Sequence, residues 1–247
     1  MTDVIEFIKG NYQLMLPIPP LDLMALIWFL FCWIGYALVA NHQKFTQPNL
    51  QQATDAYREE WMLHVLERDN RIADAHLMSS LMGSVSFFAS TAILIIGSLV
   101  ATVGATEQAI AMSAKLPFVA PISPEAWALK VILLLVIFVY AFFKLTWSLR
   151  QFNYCCILIG AAPLKPTDQE KGYAYAGRAA RLNALAGDNF NQGLRGYYFG
   201  LAALTWFINP WLFMAVSAWV VAITNRREFA SDTLKTLNKP EEVIASA

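Results

Sequence analysis

Long apolar runs alternate with charge-rich segments along the chain. Four of these runs approach or exceed the roughly 20 residues that carry a helix across a hydrocarbon core about 30 Å thick. We therefore predict an all-α fold, a polytopic transmembrane helix bundle with about four membrane-embedded segments and cytoplasmic helical extensions. One integral membrane domain covers residues 1–247, and the predicted spans are residues 21–40, 79–104, 126–147 and 197–224.

The charge-rich segments set the predicted orientation. Residues 49–78 and 149–196 have helical patterns and are predicted to lie outside the bilayer, and 225–247 form a polar tail. Four Lys/Arg precede the second span and six precede the fourth, whereas the connection between spans two and three has only Lys115. Because cytoplasmic loops carry the excess of Lys and Arg, both segments are predicted to be cytoplasmic, with the N-terminus outside.

The fourth apolar run leaves two alternatives open, because Asn209-Pro210 lies at its middle. Proline removes a backbone donor and disfavours helix at the preceding residue. A kinked full crossing would place Arg226 and Arg227 outside, against the positive-inside rule. A re-entrant hairpin would keep them inside, but its backbone needs a cover of protein or water. We favour the kinked crossing, since 28 residues can tilt.

Composition supports the membrane class and narrows the partners. Hydrophobic residues make up 57% of the chain and charged residues 15%, so the lipid bilayer is the expected environment. Eighteen basic side chains balance eighteen acidic ones, which leaves no electrostatic footprint for a nucleic acid. The N-terminus lacks a basic leader, so the first span is expected to remain as an anchor. These features fit a multi-pass protein of a bacterial plasma membrane.

Small residues recur along one face of the second span. In lipid, small side chains let helix backbones approach closely, so another helix is expected on this face. Packing within one chain and a homo-oligomeric interface both remain open. We call this face the small-residue seam; it comprises Ser79, Gly83, Ser86, Ser90, Gly97, Ala101 and Gly104.

Polar side chains concentrate before the fourth run. One interpretation is a functional site at the cytoplasmic surface, which binds a headgroup such as that of an anionic lipid, binds another anion, or forms the mouth of a pore. The other is a polar network that fixes the segment to the helix bundle. We favour the network. The residues are Arg178, Arg181, Asn183, Asn191 and Arg195.

Other chemistry is weakly signalled. Glu60, His64 and Glu67 share a helix face at metal-ligand spacing, but a solvated charged face is the favoured interpretation. Lys130 and Lys144 flank the core of the third span, and both side chains are long enough to reach the headgroups. No nucleophile elbow or phosphate loop is present, so we predict no catalytic residue, metal or cofactor, and an enzyme ranks last.

Four stretches, residues 69–74, 84–94, 193–199 and 227–231, carry a resemblance to a known family. The chain resembles a family of membrane proteins, a domain of unknown function found in bacteria and plants. The resemblance implies a multi-span helical fold and carries no established activity. It marks Arg71, Asp74 and Arg195 as pattern positions and gives none of them a role. We add Arg71 and Asp74 to the candidate polar or headgroup site, which then has seven residues.

The leading functional hypothesis is a homo-oligomeric membrane assembly that passes or senses a small solute or ion. It rests on the seam, the interrupted fourth run and the polar cluster. The alternative is a scaffold or accessory subunit of a membrane complex. Spans one and three are almost wholly apolar apart from end lysines, which argues against a wide pore.

Overall fold

The computed structural model describes residues 19–43, 48–113, 123–164, 166 and 168–238. These residues form helices and no strand, which confirms the all-α prediction. The helices are α1 (Pro20–Gln43), α2 (Leu50–Glu67), α3 (Ile72–Gly104), α4 (Thr106–Ser113), α5 (Pro124–Ala161), α6 (Gln169–Leu204), α7 (Pro210–Phe229) and α8 (Asp232–Leu237), with a 3-10 turn at Thr205–Phe207.

Side-chain caps set where several helices begin. Asn49 and Asp168 accept hydrogen bonds from the backbone amides three residues ahead, at the starts of α2 and α6. Ser123 does the same at α5, where Pro124 occupies the first helical position and needs no donor. Asn209 and Pro210 combine the same two signals at α7, so this pair starts a new helix.

Three helices are long and apolar enough to cross a membrane: Pro20–Ala40, Ile72–Gly104 and Pro124–Ala161. They contain the first three predicted spans, and their length and apolar composition support a membrane protein. The 38 residues of α5 extend for about 57 Å at 1.5 Å per residue, well beyond a hydrocarbon core of roughly 30 Å. Part of this helix therefore packs outside that layer.

The buried residues form two cores stacked along the long helices. One core joins α1, the first half of α5, the end of α6 and α7, and is rich in rings; we call it the aromatic core. The other joins α2, the start of α3, the end of α5 and the start of α6; we call it the distal core. The polar segments predicted outside the bilayer supply much of the distal core.

The fourth apolar run folds back on itself. Trp206, in the 3-10 turn that follows α6, stacks on Phe213 at the start of α7, with ring centroids 4.9 Å apart. At the opposite ends of these segments, Arg227 donates to the Tyr198 hydroxyl at 3.2 Å. The two arms therefore run antiparallel about Asn209, whose backbone is extended. This geometry is a hairpin and not the kinked single crossing that we favoured, because Asn209-Pro210 caps and starts a second helix.

The small-residue seam faces away from the rest of the chain. α3 packs through Val85, Ala89 and Ala92, whereas the seam residues are exposed apart from the partly buried Ser86. A Cβ built on Gly83, Gly97 or Gly104 would meet nothing within 4 Å. The seam therefore does not pack against another helix within the described part of the chain. The homo-oligomeric interface is the alternative that remains.

Candidate functional site

Two polar clusters lie at opposite ends of the aromatic core. α1, α5 and α7 begin at one end, where α6 finishes, and a cluster of Asp22, Lys130 and Trp206 joins them; we call it the Lys130 cluster. α1 and α7 approach their last turns at the other end, where Tyr36, Arg195 and Glu228 meet; we call it the Arg195 cluster.

The Lys130 cluster is a buried, satisfied ion pair. The Lys130 ammonium lies 3.3 Å from Asp22 Oδ1 and donates to the Trp206 carbonyl oxygen at 3.0 Å. Trp206 Nε1 donates to the same Asp22 oxygen at 2.6 Å. Lys130 is only 4% exposed. The expectation that its side chain reaches the headgroups is therefore wrong. A partner carboxylate and a helix-end carbonyl hold it inside because they replace its hydration.

Aromatic rings fill the space between the two clusters. Phe29 of α1 packs against Phe199 at a centroid distance of 5.8 Å and against Phe213 at 5.0 Å. Phe29, Phe199 and Phe213 are at most 1% exposed. These described rings are therefore packed closely between the two clusters.

The Arg195 cluster combines charge with hydrogen bonding at the other end. Glu228 accepts a hydrogen bond from the Tyr36 hydroxyl at 3.1 Å and lies 3.9 Å from Arg195 Nη2. The Arg195 guanidinium also lies over the Tyr36 ring, 5.8 Å from its centroid. The side chains of Arg195 and Glu228 are 11% and 13% exposed, so the pair is largely removed from solvent.

A cavity of about 390 Å³ opens beside this cluster, between α2, α3, α5, α6 and α7. The charged residues among its described lining are three arginines and one glutamate: Arg58, Arg195, Arg227 and Glu228. We call it the arginine cavity. Asn191, Tyr198 and Thr224 add neutral hydrogen-bonding groups, and Leu81, Val85 and Phe152 form an apolar wall.

The three guanidinium groups differ in how they are paired. Arg58 lies 2.5 Å from Asp55, and Arg195 faces Glu228. Arg227 contacts the Tyr198 hydroxyl and lies over its ring at 5.7 Å, and within the described ranges it makes no ion pair. Donors on three sides of one cavity suit a tetrahedral oxyanion, because guanidinium forks match phosphate oxygens.

Close approach of helices brings the cavity walls together. A Cβ on Gly187 would lie 2.5 Å from Arg58 Nη2, so glycine gives the guanidinium its place against α6. A Cβ on Gly193 would lie 2.7 Å from Leu145 Cγ, so the next turns of α6 pack closely on α5. Both glycines, which lie among the polar residues of α6, are thus packing positions.

Only two of the seven predicted polar-site residues, Asn191 and Arg195, line the arginine cavity. Arg178 and Arg181 lie on exposed faces of α6. Asn183 is fully buried and donates to Met78 Sδ at 3.8 Å. The polar segment is therefore partly a cavity wall and partly a packing surface.

Arg71 and Asp74 belong to a separate structural network in the distal bundle. Arg71 donates to the carbonyl oxygens of Val65, Ile159, Ala162 and Pro163 at 2.7 to 3.1 Å. It thereby satisfies acceptors that the ends of α2 and α5 leave open.

Asp74 is fully buried and accepts from Trp61 Nε1 at 2.7 Å and from Arg68 at 2.6 Å. This network fixes the turn between α2 and α3.

Arg58, Arg227, Glu228 and Tyr36 are site residues that the sequence pattern did not reveal. They lie on three helices distant in sequence, so no local spacing marks them. Arg226-Arg227 was noted only as a topological charge. One sequence feature could have revealed Arg227: a single crossing would put this charge outside, against the positive-inside rule. A hairpin avoids that conflict and brings Arg227 back to α6.

The Glu60, His64 and Glu67 side chains do share one face of α2. His64 lies 3.6 Å from Glu60 and 3.3 Å from Glu67, and all three side chains are at least half exposed. Within the described ranges, no group of three His, Cys, Asp or Glu side chains is arranged to hold a metal ion.

Comparison with known proteins places the chain in a family. It belongs to the family described as "Protein of unknown function, DUF599", which matches residues 24–233. The matched range includes the Arg195 cluster, the arginine cavity and, apart from Asp22, the Lys130 cluster. No curated protein and no solved structure matches the chain.

Proposed function

We propose that this family member is a multi-pass membrane protein that binds a small solute or headgroup carrying a phosphate-like anion, and that the arginine cavity is its binding site. The observation that carries the proposal is the convergence of Arg58, Arg195 and Arg227 on one cavity with a single lining glutamate. Asp55 pairs with Arg58 from outside the lining, which still leaves an excess of positive charge.

The proposed topology places this cavity at the cytoplasmic edge of the bilayer. Five helical segments reach membrane depth: α1, α3, α5, the end of α6 and α7. The 20 residues of α7 extend for about 30 Å, which is enough for a crossing. An odd number of crossings puts the N-terminus outside and Arg226-Arg227 inside, so the hairpin removes the conflict with the positive-inside rule.

Two single-cysteine variants test the topology. In a background without the native cysteines, Thr233→Cys should react with a membrane-impermeant thiol reagent only after the cytoplasmic side is opened. Glu107→Cys, beyond the far end of α3, should react in sealed cells. Both residues are exposed, so labelling reports the side and not burial. Reaction of Thr233→Cys in sealed cells would contradict the hairpin topology.

Titration calorimetry with inorganic phosphate tests the proposed binding. Wild-type protein in a neutral detergent should bind phosphate saturably. A hydrogen bond to a charged group contributes about 1.5–3 kcal/mol, so Arg227→Gln should weaken binding by roughly 10- to 100-fold. Arg226→Gln is the matched control, because it lies on the same turn and does not line the cavity. Equal binding by both variants would refute the assignment.

The exposed seam favours a second proposal, that copies of this chain associate through α3. Three glycines with open space above them allow another helix to approach closely. Native mass spectrometry after gentle extraction tests it, and Gly97→Leu should shift the population to monomers. A monomeric wild type would exclude the homo-oligomer, and co-purification of a different chain would favour the scaffold alternative.

The packed aromatic core helps to decide between two roles of the assembly, binding or sensing a solute and conducting it. A channel through one chain would need the rings between the two polar clusters to move apart. The geometry therefore supports binding or sensing by each chain in preference to a permanently open pore, and any permeation path would run between subunits.

A further inference from the structure

We infer that the anion bound in the arginine cavity is the headgroup of an anionic phospholipid, one of whose acyl chains lies in a groove between α6 and α7. The inference rests on the proposed function, because it names the source of the anion that this cavity holds. It commits to a membrane lipid as the occupant and makes a free phosphate compound an outcome of the test.

The groove is an apolar channel of about 210 Å³ on the outer surface of the hairpin. Leu201 and Ala202 of α6 form one side, and Val216, Val220 and Ile223 of α7 form the other. Trp219 also lines the groove and is 63% exposed. No charged residue except Arg227 lines this groove in the described part of the chain, so its walls suit a hydrocarbon chain.

The groove and the arginine cavity share part of their lining. Tyr198, Thr224 and Arg227 line both, so the two spaces meet at the end of the hairpin. From Thr224 the groove follows α7 to Val216, a distance of about 12 Å at 1.5 Å per residue. A polar site and an apolar groove joined end to end match the two parts of an amphiphile.

The direction of the groove agrees with the way a lipid lies in a leaflet. Arg227 is near the cytoplasmic end of α7 in the proposed topology, and Val216 is nearer the middle of the bilayer. A headgroup held by Arg227 therefore lies at headgroup level, with its acyl chain directed inward. A soluble phosphate compound would not use the groove.

Selectivity has a physical basis in the headgroup and not in the tail. Hydrocarbon gains little by moving from the bilayer into an apolar groove, because both are equally apolar. Lipids of different headgroup but the same chains therefore compete mainly through the arginine cavity. An anionic phosphodiester gains charge-assisted hydrogen bonds there, and a zwitterionic headgroup brings its own cation near Arg58 and Arg227.

Native mass spectrometry with equal amounts of phosphatidylglycerol and phosphatidylcholine of identical chains tests the inference on the full-length protein. Wild type should retain the anionic lipid in preference, by about tenfold if the choline cation near the arginines costs about 1.4 kcal/mol. Arg227→Gln should lose most of that preference, and Arg226→Gln should keep it. Equal retention of both lipids by wild type would overturn the inference.

A groove-filling variant separates the two proposals. Val216→Trp should reduce phosphatidylglycerol retention while inorganic phosphate binding stays at the wild-type level, because the cavity itself is untouched. Val136→Trp is the matched control, since it adds the same bulk to an exposed position on α5 outside the groove. If Val216→Trp retained the lipid as well as wild type, the groove assignment would be wrong.

The phosphate measurement shows which proposal has failed. Phosphate binding that is lost in Arg227→Gln, together with no lipid preference in wild type, would leave the proposed function standing and point to a soluble ligand. Absence of both phosphate and lipid binding would overturn both. Unfolding temperatures of all four variants within a few degrees of wild type show that binding changes do not reflect misfolding.

Discussion

The ammonium group of Lys130 lies 3.3 Å from the carboxylate of Asp22, and both side chains are almost completely buried. This pair ties the first turn of α1 to α5. Trp206 closes the arrangement from the 3-10 turn after α6, so one buried network fixes α1 and α5 to the turn of the hairpin.

Replacing Lys130 by Met should destabilise the protein strongly. The change leaves the Asp22 carboxylate buried without its cation, and breaking such a pair costs about 3–5 kcal/mol. Thermal unfolding in detergent measures it. Lys144→Met is the control, because Lys144 is only partly buried and its polar contact is a 3.5 Å bond to Asn189. Similar losses for both variants would contradict the assigned difference.

Gly193 should tolerate no side chain. Its Cβ would lie 2.7 Å from Leu145 Cγ, and overpacking a close helix contact costs typically about 1–3 kcal/mol, so Gly193→Ala should lower the unfolding temperature. Gly177→Ala, on the same helix and away from the seam, has open space and should be neutral or stabilising by up to about 1 kcal/mol, the helix-propensity difference. A neutral Gly193→Ala would show that α5 and α6 can separate.

Arg71 should act on stability and not on ligand binding. Arg71→Gln removes donors from carbonyl oxygens at the ends of α2 and α5, at a cost of about 1.5–3 kcal/mol. Hydrogen exchange should accelerate in residues 155–164, while phosphate binding stays unchanged. Arg178→Gln, an exposed arginine of α6, should alter neither. Loss of phosphate binding in Arg71→Gln with intact exchange protection would assign Arg71 a direct functional role.

The start of α6 should loosen in acid. The side chain and backbone amide of Lys171 donate to Asp168 and hold the pKa of that carboxyl below its usual value of 3.8. A lowered folded pKa stabilises the cap above the unfolded value, and the contribution disappears as pH falls through the folded one. The backbone amide resonance of Lys171, which donates to Asp168, should therefore shift below about pH 4. Asp168→Asn keeps a cap without a titrating group and should abolish that shift.

Three membrane helices could be predicted from sequence because their apolar runs are uninterrupted. α1, α3 and α5 meet the length requirement of a bilayer without help from their neighbours. The hairpin was harder to predict, because the end of α6 contains Arg195 and several glycines and tyrosines. These residues lower the mean hydropathy of the segment, so the sequence does not identify it as a buried helix. It is buried because it packs closely against α5.

The arginine cavity could be predicted only in part. Asn191 and Arg195 belong to a polar cluster that is visible in the sequence, but Arg58 and Arg227 reach the same space through tertiary folding. The topological conflict at Arg226-Arg227 contained the missing information. A hairpin resolves that conflict and brings the end of α7 back to Arg195. Once the hairpin is chosen, the charge pattern therefore predicts that Arg227 lies near Arg195, but it does not predict the position of Arg58.

The most direct test of the arginine cavity is anomalous X-ray diffraction from crystals of the protein grown with tungstate, a tetrahedral oxyanion with a strong signal. We expect one dominant peak bounded by the guanidinium groups of Arg58, Arg195 and Arg227, and its loss in Arg227→Gln. Tungstate bound elsewhere, with these three arginines unoccupied at saturating concentration, would contradict the proposed binding site.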